Sequence, residues 1–441
     1  MSLKTAIVEL NDSEVRVGME GRVSVASPGF AIIGDGGLVL GDDARRQARL
    51  RPREANNRFW SRLSLDPLEN ASELARHNAD LAYAHLRQVH EQAGSPPEVI
   101  FAIPGIFTRE QLSLLLGLAK ACAFAPVGLV DSSVAALANT ATPGVHVYID
   151  VDFHQAVITE LDVADEVVRT RVESVAGAGI NAVLDVWAAA ATDAFIQQHR
   201  FDPLQRAATE QSLYDRFAEV FQHPLRDKFV LEIEGNRVEL SVGRLLQAAQ
   251  SLYARIAERV TRIVAERGAD GAIYLSHRAA ALPGLPENFT DPRRVPPDAV
   301  IYGCENHEQF IRSNGEALQF VTRLPAMPGS AMGEAPPTTV RVADAPTHIV
   351  CGSRAYPVGM ARLFAHREAH DGVGVGSQPA PGTFAAFSQT PRGIEVEAVD
   401  GHPLSCNGER VAGARVLKVG DVLRLSESKA SLTVIQVVDE I

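Results

Sequence analysis

The chain has little cysteine, a deficit of positive charge and no long apolar run, and each shortage excludes something. Its four cysteines, Cys122, Cys304, Cys351 and Cys406, stand far apart without a C-x-x-C pair. Neither a zinc site nor a disulfide framework is signalled, and reduced thiols are the expectation. Lys and Arg number 42 against 54 Asp and Glu, a formal charge of −12. Phosphate contacts need concentrated positive charge, so a nucleic-acid-binding body is not expected. No stretch of about 18 apolar residues occurs, and Met1 to Leu10 lacks the charged-then-apolar run of a signal peptide. No membrane span and a cytoplasmic location follow as expectations. With 46% hydrophobic and 22% charged residues, and 34 Gly and 25 Pro near average usage, disorder is excluded as the main state. At the usual ~100–200 residues per domain, the chain should divide into two or three.

What is present begins with strands. KTAIVEL, EVRVGMEGRVSVAS and GFAIIGDGGLVLG are rich in β-branched residues and separated by turn signals. Asn70 to Glu91 then turns to Ala, Leu, His and Gln without Pro or Gly, and a buried strand, PEVIFAIP, leads into the helix TREQLSLLLGLAKACAF. Thr108 with Gln111 three residues on forms a capping box. The strand VGLV, the helix DSSVAALANTA and the strand VHVYIDV continue a βαβ-type alternation, and AVITELDV returns as a hairpin. Helical patterns span residues 181–200, 207–222 and 242–267, and FVLEIEGNRVEL reads as a hairpin turning at Gly235-Asn236, before the strand GAIYLS. Antiparallel strands followed by strand–helix alternation thus occur twice within about 320 residues. PAMPGSAMGEAPPTT breaks the pattern and reads as a linker from Met327, drawn as residues 327–345. The remaining residues, 346–441, hold strand-like runs and one helical pattern, MARLFAHREA, and suggest a small β domain.

The order of these pieces over about residues 4–320 resembles the nucleotide-binding domain of the seventy-kilodalton heat-shock chaperones, within the actin-like ATPase superfamily. SPGFAIIGDGGLVLGDDARRQARLRPREANNRFWSRL is similar to the family stretch that leads to a catalytic lysine, and FAIPGIFTREQLSLLLGLAKACAFAPVGLVDSSVAALA to its strand, turn, long helix, strand and second helix. The resemblance implies an α/β fold of two lobes, residues 1–145 and 146–326, and a nucleotide cleft between them. The functional positions depart from the family in one direction. The first phosphate loop, Asp-Leu-Gly-Thr-Thr in the family, is Glu9, Leu10, Asn11, Asp12 and Ser13 here; the second, Asp-Leu-Gly-Gly-Gly-Thr, is Asp150, Val151, Asp152, Phe153, His154 and Gln155. Missing Cβ atoms let backbone N–H groups curl around an anion, and those glycines are gone. The lysine position is Ser61, and Asp131 replaces the family's glutamate. The adenosine loop, Gly-Gly-Ser-Thr-Arg-Ile-Pro in the family, runs from His277 and Arg278 to Pro283. Asp150 with Asp131 would hold a hydrated Mg²⁺ if Mg-ATP or Mg-ADP bound at all. The added charge at Asp12 and Asp152 repels a triphosphate, so no cofactor is the first expectation.

Other candidates carry bland readings beside functional ones. His277 and Arg278 either bind an anion or plug the cleft against Asp150 or Asp152, and the plug is preferred. His154 has the chemistry of a general base but no nucleophile placed beside it, so it reads as a turn residue. Gly177 and Gly179, in GAGIN, mark a tight strand-to-helix turn at the place of a family Gly-Gly loop, and Trp187 and Phe195 read as core. The tail resembles a forkhead-associated β-sandwich through Asn407, Gly408, Glu409, Arg410 and Val411, followed by Gly420-Asp421. That family reads phosphothreonine through an Arg and a Ser; the matching stretch here, 374–377, offers Ser377 without an Arg. Ser377, Asn407, Gly408 and Arg410 are the candidate partner contacts. The expectation is a protein–protein interaction scaffold whose nucleotide loops have degenerated. Its rivals are a weak Mg-ATP-dependent switch and an adaptor for phosphorylated partners.

Overall fold

The computed structural model describes residues 5–122, 125–221, 228–267, 271–313, 318–327, 347–351, 354–358, 362–367, 373–376, 378–390, 393–399, 404–407, 409–411, 413–418, 421–425 and 431–435. The chain forms two compact units, Met1–Gly333 and Glu334–Ile441. The sequence-drawn linker lies, apart from Met327, outside the described residues.

The first unit is mixed α/β. Its elements are β1 (Ala6–Glu9), β2 (Val15–Met19), β3 (Arg22–Ser27), β4 (Ala31–Gly34), β5 (Gly37–Leu40), α1 (Gly41–Arg45), β6 (Ala55–Asn56), α2 (Asn78–Gln92), β7 (Glu98–Ile103), α3 (Arg109–Ala121), β8 (Ala125–Asp131) and α4 (Ser132–Leu137). Then come β9 (Gly144–Val151), β10 (Gln155–Val163), β11 (Glu166–Ala176), α5 (Ile180–His199), α6 (Ala207–Glu219), β12 (Lys228–Ile233), β13 (Asn236–Ser241) and α7 (Val242–Arg267). The unit finishes with β14 (Ile273–Leu275), α8 (His277–Ala281), β15 (Arg293–Arg294), α9 (Ala299–Asn306), α10 (Glu308–Ile311), β16 (Phe320–Val321) and β17 (Arg323–Pro325).

Two six-stranded sheets carry the unit, ordered β16-β8-β7-β1-β2-β3 and β15-β14-β9-β10-β11-β17. In both, a central strand (β1 or β9) has an antiparallel meander on one side and a parallel strand (β7 or β14) on the other. A meander needs only tight turns, whereas each parallel neighbour needs a crossover connection. Three apolar clusters fill the layers. One holds α2 and α3 on the first sheet, one holds α5 and α7 on the second, and the third, with α4 and α9, lies between the sheets. The helices α4 and α9 approach so closely that a Cβ on Gly303 would sit 1.9 Å from the Ala135 carbonyl oxygen. The capping box is formed as expected: Gln111 N–H donates to Thr108 Oγ1 and Thr108 N–H to Gln111 Oε1. No helix among the described residues is long and apolar enough to cross a membrane.

Three sequence expectations are corrected. The β12–β13 hairpin turns at Glu234-Gly235, both at positive φ, because Ile233 pairs with Asn236; Gly235 supplies one left-handed position and the chain takes the turn one residue earlier than expected. The first half is not closed at residue 145: β16 pairs with β8, and α9 packs against β1, so residues 299–321 return to it. MARLFAHREA is not helical where it is described, since Leu363–Arg367 pairs antiparallel with two strands and tertiary pairing overrides the local pattern.

The second unit contains only strands among its described residues. β18 (His348–Cys351), β19 (Arg354–Pro357), β24 (Leu404–Cys406), β25 (Glu409–Arg410), β27 (Val422–Leu425) and β28 (Ser431–Ile435) form one sheet; β20 (Leu363–Arg367), β21 (Val373–Gly376), β22 (Thr383–Thr390), β23 (Gly393–Ala398) and β26 (Arg415–Val416) form the other. Phe384, Phe387, Ile394, Val396, Leu423 and Val434 lie in one apolar core fed by both sheets.

Candidate functional site

The two loops that leave β1 and β9 occupy equivalent places in the two sheets, and the Ser13 amide of the first and the Phe153, His154 and Gln155 amides of the second already have acceptors. Ser13 N–H donates to Asn11 Oδ1 at 2.9 Å. His154 and Gln155 N–H both donate to Asp152 Oδ1 at 2.7 Å, and Phe153 N–H donates across to Asp12 Oδ1 at 2.7 Å. The first amides of α5 are also taken: Ile180 N–H reaches the Asp152 carbonyl and Asn181 N–H the Phe153 carbonyl, at 2.9 and 3.0 Å. Gly179 permits this seating, since a Cβ there would lie 2.5 Å from the Asp152 carbonyl oxygen and the Gln155 nitrogen. Gly177, at φ +67°, makes the turn just before it. Carboxylates of the chain itself therefore take the Phe153, His154 and Gln155 amides of the second loop, donors that a bound anion would need.

Behind the loops, Arg278 joins the leading acids of both. Its Nε donates to Asp150 Oδ1 at 3.2 Å, and its Nη2 donates to Asp150 Oδ2 at 3.1 Å and to Glu9 Oε1 at 2.5 Å. Ser276, which caps α8 through Ala279 N–H, also donates to Asp150 Oδ1, and Asn11 Nδ2 donates to Oδ2 at 3.1 Å. Arg16 holds the other oxygen of Glu9 at 3.1 Å and reaches the Pro297 carbonyl. Glu9, Arg16, Asp150 and Arg278 are all buried, so two acids and two guanidinium groups balance in a dry network. Burial pushes the Asp150 carboxyl up, but Arg278, with Ser276, outweighs it and holds the group below its ordinary value. Asp152 takes no bond from Arg278; His277 stands half-buried at 3.9 Å from Glu14.

Asp12 and Asp152 form a second acid pair that no cation bonds among the described residues, although the Arg278 and Arg58 charges act on Asp12. Asp12 Oδ2 is buried and receives no donor. Burial and then the Asp152 charge push the Asp12 carboxyl well above its usual value, and burial pushes Asp152 up to about 6. Both line a cavity of about 330 Å³ that also meets Ser61, Thr108 and Ser174.

Asp131 serves elsewhere. It caps α4 by accepting Ser133 N–H and Val134 N–H, also accepts Ser133 Oγ, and pairs with Arg169 at 2.6 Å. Asp131 and Asp150 thus take separate cations, and no bond links them among the described residues. No group of three or more His, Cys, Asp or Glu there could hold a metal ion.

A larger cavity of about 630 Å³ opens beside the loops, with Phe30 and Phe153 in edge-to-face contact at 5.0 Å on its wall. Its far end is bridged by side chains from both halves of the unit. Arg49 pairs with Glu210 at 3.0 Å and Asp185 at 3.4 Å and lies 3.7 Å over the Tyr214 ring, while its N–H donates to Gln211. No family model matches the chain, and no curated protein matches it.

His154 lines the larger cavity with Nε2 2.9 Å from the Asn57 carbonyl; burial, Arg58 and Arg62 pull its pKa down despite that contact. Sequence reasoning missed another histidine. His85 is fully buried, takes the Trp60 indole N–H on Nδ1 at 3.0 Å and meets Ser27 Oγ at 2.8 Å. The indole bond places any ring proton on Nε2, facing Ser27, so this Ser–His pair is the wrong tautomer for a general base. Burial pulls His85 down to about 3. No local motif in the sequence marks it, because its partners are 25 and 58 residues away.

In the second unit, Asn407 adopts φ +54°, donates to Asp421 Oδ1 at 2.8 Å and accepts Val422 N–H at 2.9 Å. Arg410 is exposed on β25; Ser377 and Gly408 lie outside the described residues. Replacing Asn407 by Ala removes both bonds and leaves a Cβ residue in a left-handed turn without them. The expected loss is about 1–2 kcal/mol of stability, read by urea unfolding, with Asn407→Gly losing less.

Proposed function

We propose that residues 5–327 are an actin-like, chaperone-like two-lobed domain that no longer uses nucleotide and serves as a protein–protein interaction scaffold, with the tail as a forkhead-associated-like accessory module. The repeated strand order of the two sheets supports the fold reading. The function reading rests on one observation: Arg278 bridges Glu9 and Asp150, the two acids that lead the phosphate loops, in a buried network. A triphosphate entering that space has to displace a paired guanidinium and meet Asp12 and Asp152 as well, at a place where charge repulsion is screened little. The second-loop amides that would repay this, those of Phe153, His154 and Gln155, are held by Asp12 and Asp152.

The rival, a weak Mg-ATP-dependent switch, has the cavity of about 630 Å³ in its favour. A thermal melt separates the two. Saturating ligand at about 100 times its Kd adds about 2.7 kcal/mol, a shift of a few degrees. We expect millimolar Mg-ATP and Mg-ADP to leave Tm unchanged. A rise with either, lost in Asp150→Ala, would establish the switch instead.

A further inference from the structure

The first unit carries an arginine-rich segment in an acidic protein. Residues 45–62 hold seven arginines against one acid, Glu54, a local excess of six positive charges in a chain of net charge −12. Three of the seven are engaged: Arg45 with Asp42 and Asp215, Arg49 with Asp185 and Glu210, and Arg51 with Glu54. Arg46, Arg53, Arg58 and Arg62 are exposed and their guanidinium groups form no ion pair or hydrogen bond among the described residues, although the Arg46 charge acts on Asp215 and the Arg58 charge on Asp12. The backbone beneath them is ordered by Arg51 N–H to the Gln47 carbonyl, Ala55 N–H to the Arg51 carbonyl and Arg62 N–H to the Arg58 carbonyl. Arg58 and Arg62 lie close enough together to act on the same imidazole, His154. Two leucines of the same stretch are exposed: Leu50, between Arg49 and Arg51, by 45%, and Leu65, three residues past Arg62, by 65%.

We infer that this surface docks a short acidic, leucine-bearing segment of a partner protein. Exposed, unpaired arginines offer forked donors to carboxylates, and an exposed leucine beside them gives such a segment an apolar anchor. Acids flank the segment in the sequence, Asp42 and Asp43 before it and Asp66 and Glu69 after it, and Asp185, Glu210 and Asp215 stand against its Arg45 and Arg49. A short acidic peptide matches a positive patch of limited extent, whereas an extended polyanion would run onto the acidic surroundings. The inference names the partner class of the scaffold proposed above and rests on that reading.

The test is fluorescence anisotropy on the full chain with a labelled twelve-residue peptide of Glu-Glu-Leu repeats. Saturable binding is expected, weakened at least about tenfold in Arg46→Ser/Arg53→Ser/Arg58→Ser/Arg62→Ser and severalfold in Leu50→Ser, with each variant's Tm near the parent's because the side chains are exposed. A Glu-Glu-Ser peptide should bind more weakly to the parent and be indifferent to Leu50→Ser. Absence of saturable binding, equal binding by the four-arginine variant, or tighter binding of a twelve-nucleotide oligo-dT would overturn the inference. Peptide binding that changes with Mg-ATP would instead overturn nucleotide independence and leave the docking surface standing.

Discussion

Arg278→Met is expected to lower the stability of the first unit by about 3–5 kcal/mol, because it leaves the Asp150 carboxylate buried with hydrogen bonds but no cation. Glu9 keeps Arg16 and is affected less. The double variant Arg278→Met/Asp150→Asn removes the stranded charge while the new amide oxygen still accepts from Ser276, so it should recover at least half of the loss. Urea unfolding followed by tryptophan fluorescence reports on this directly, since Trp60 and Trp187 are both buried in this unit. A single-variant loss below about 1 kcal/mol would mean that the bridge is dispensable, and the carrying observation of the proposed function would fall with it.

The second large effect is on pH dependence. Asp152 titrates at about 6 in the folded chain against an ordinary 3.8. A raised carboxyl pKa means that between about pH 4 and 6 the folded chain holds a proton that the unfolded chain has released, so stability falls as pH rises through this window. Above about pH 7 the deficit is complete, on the order of 3 kcal/mol, and Asp12 acts in the same direction. Asp152→Asn keeps an oxygen for the His154 and Gln155 amides and removes the charge. It should be more stable than the parent by about 2–3 kcal/mol at pH 7 and nearly equal to it at pH 4. His85 has the opposite sign: its depressed pKa means that the unfolded chain gains protons first, so its contribution is lost as pH falls below about 6.5. The difference between variant and parent curves therefore isolates the acid pair. A pH-independent difference would exclude it as the cause.

Local signals made much of the architecture readable. Thr108 and Gln111 announced a helix start, and the alternation in VHVYIDV and AVITELDV announced a hairpin, because these features depend on neighbours a few residues away. The loops lacking glycine pointed to Glu9, Asp12, Asp150 and Asp152 as a group. Arg278 was expected against Asp150 or Asp152, and it takes Asp150; its second partner, Glu9, was not readable, because it stands 269 residues away in the sequence. Asp131 shows the same limit: its cap on α4 is local, but Arg169 comes from a strand of the other sheet. The leucine and arginine positions of the docking surface were visible as letters, whereas their exposure was not.

The return of residues 299–321 to the first sheet bears on how this protein is made. As the chain leaves the ribosome, β1, β2, β3, β7 and β8 emerge early, yet the edge of β8 and the face of β1 are covered only when β16 and α9 arrive some two hundred residues later. At about 5–20 residues per second, that leaves an interval of roughly 10–40 seconds in which Ile7, Ile100 and Val130 lack part of their final packing. Nascent chains of this protein are thus expected to engage cellular folding helpers most strongly during that interval.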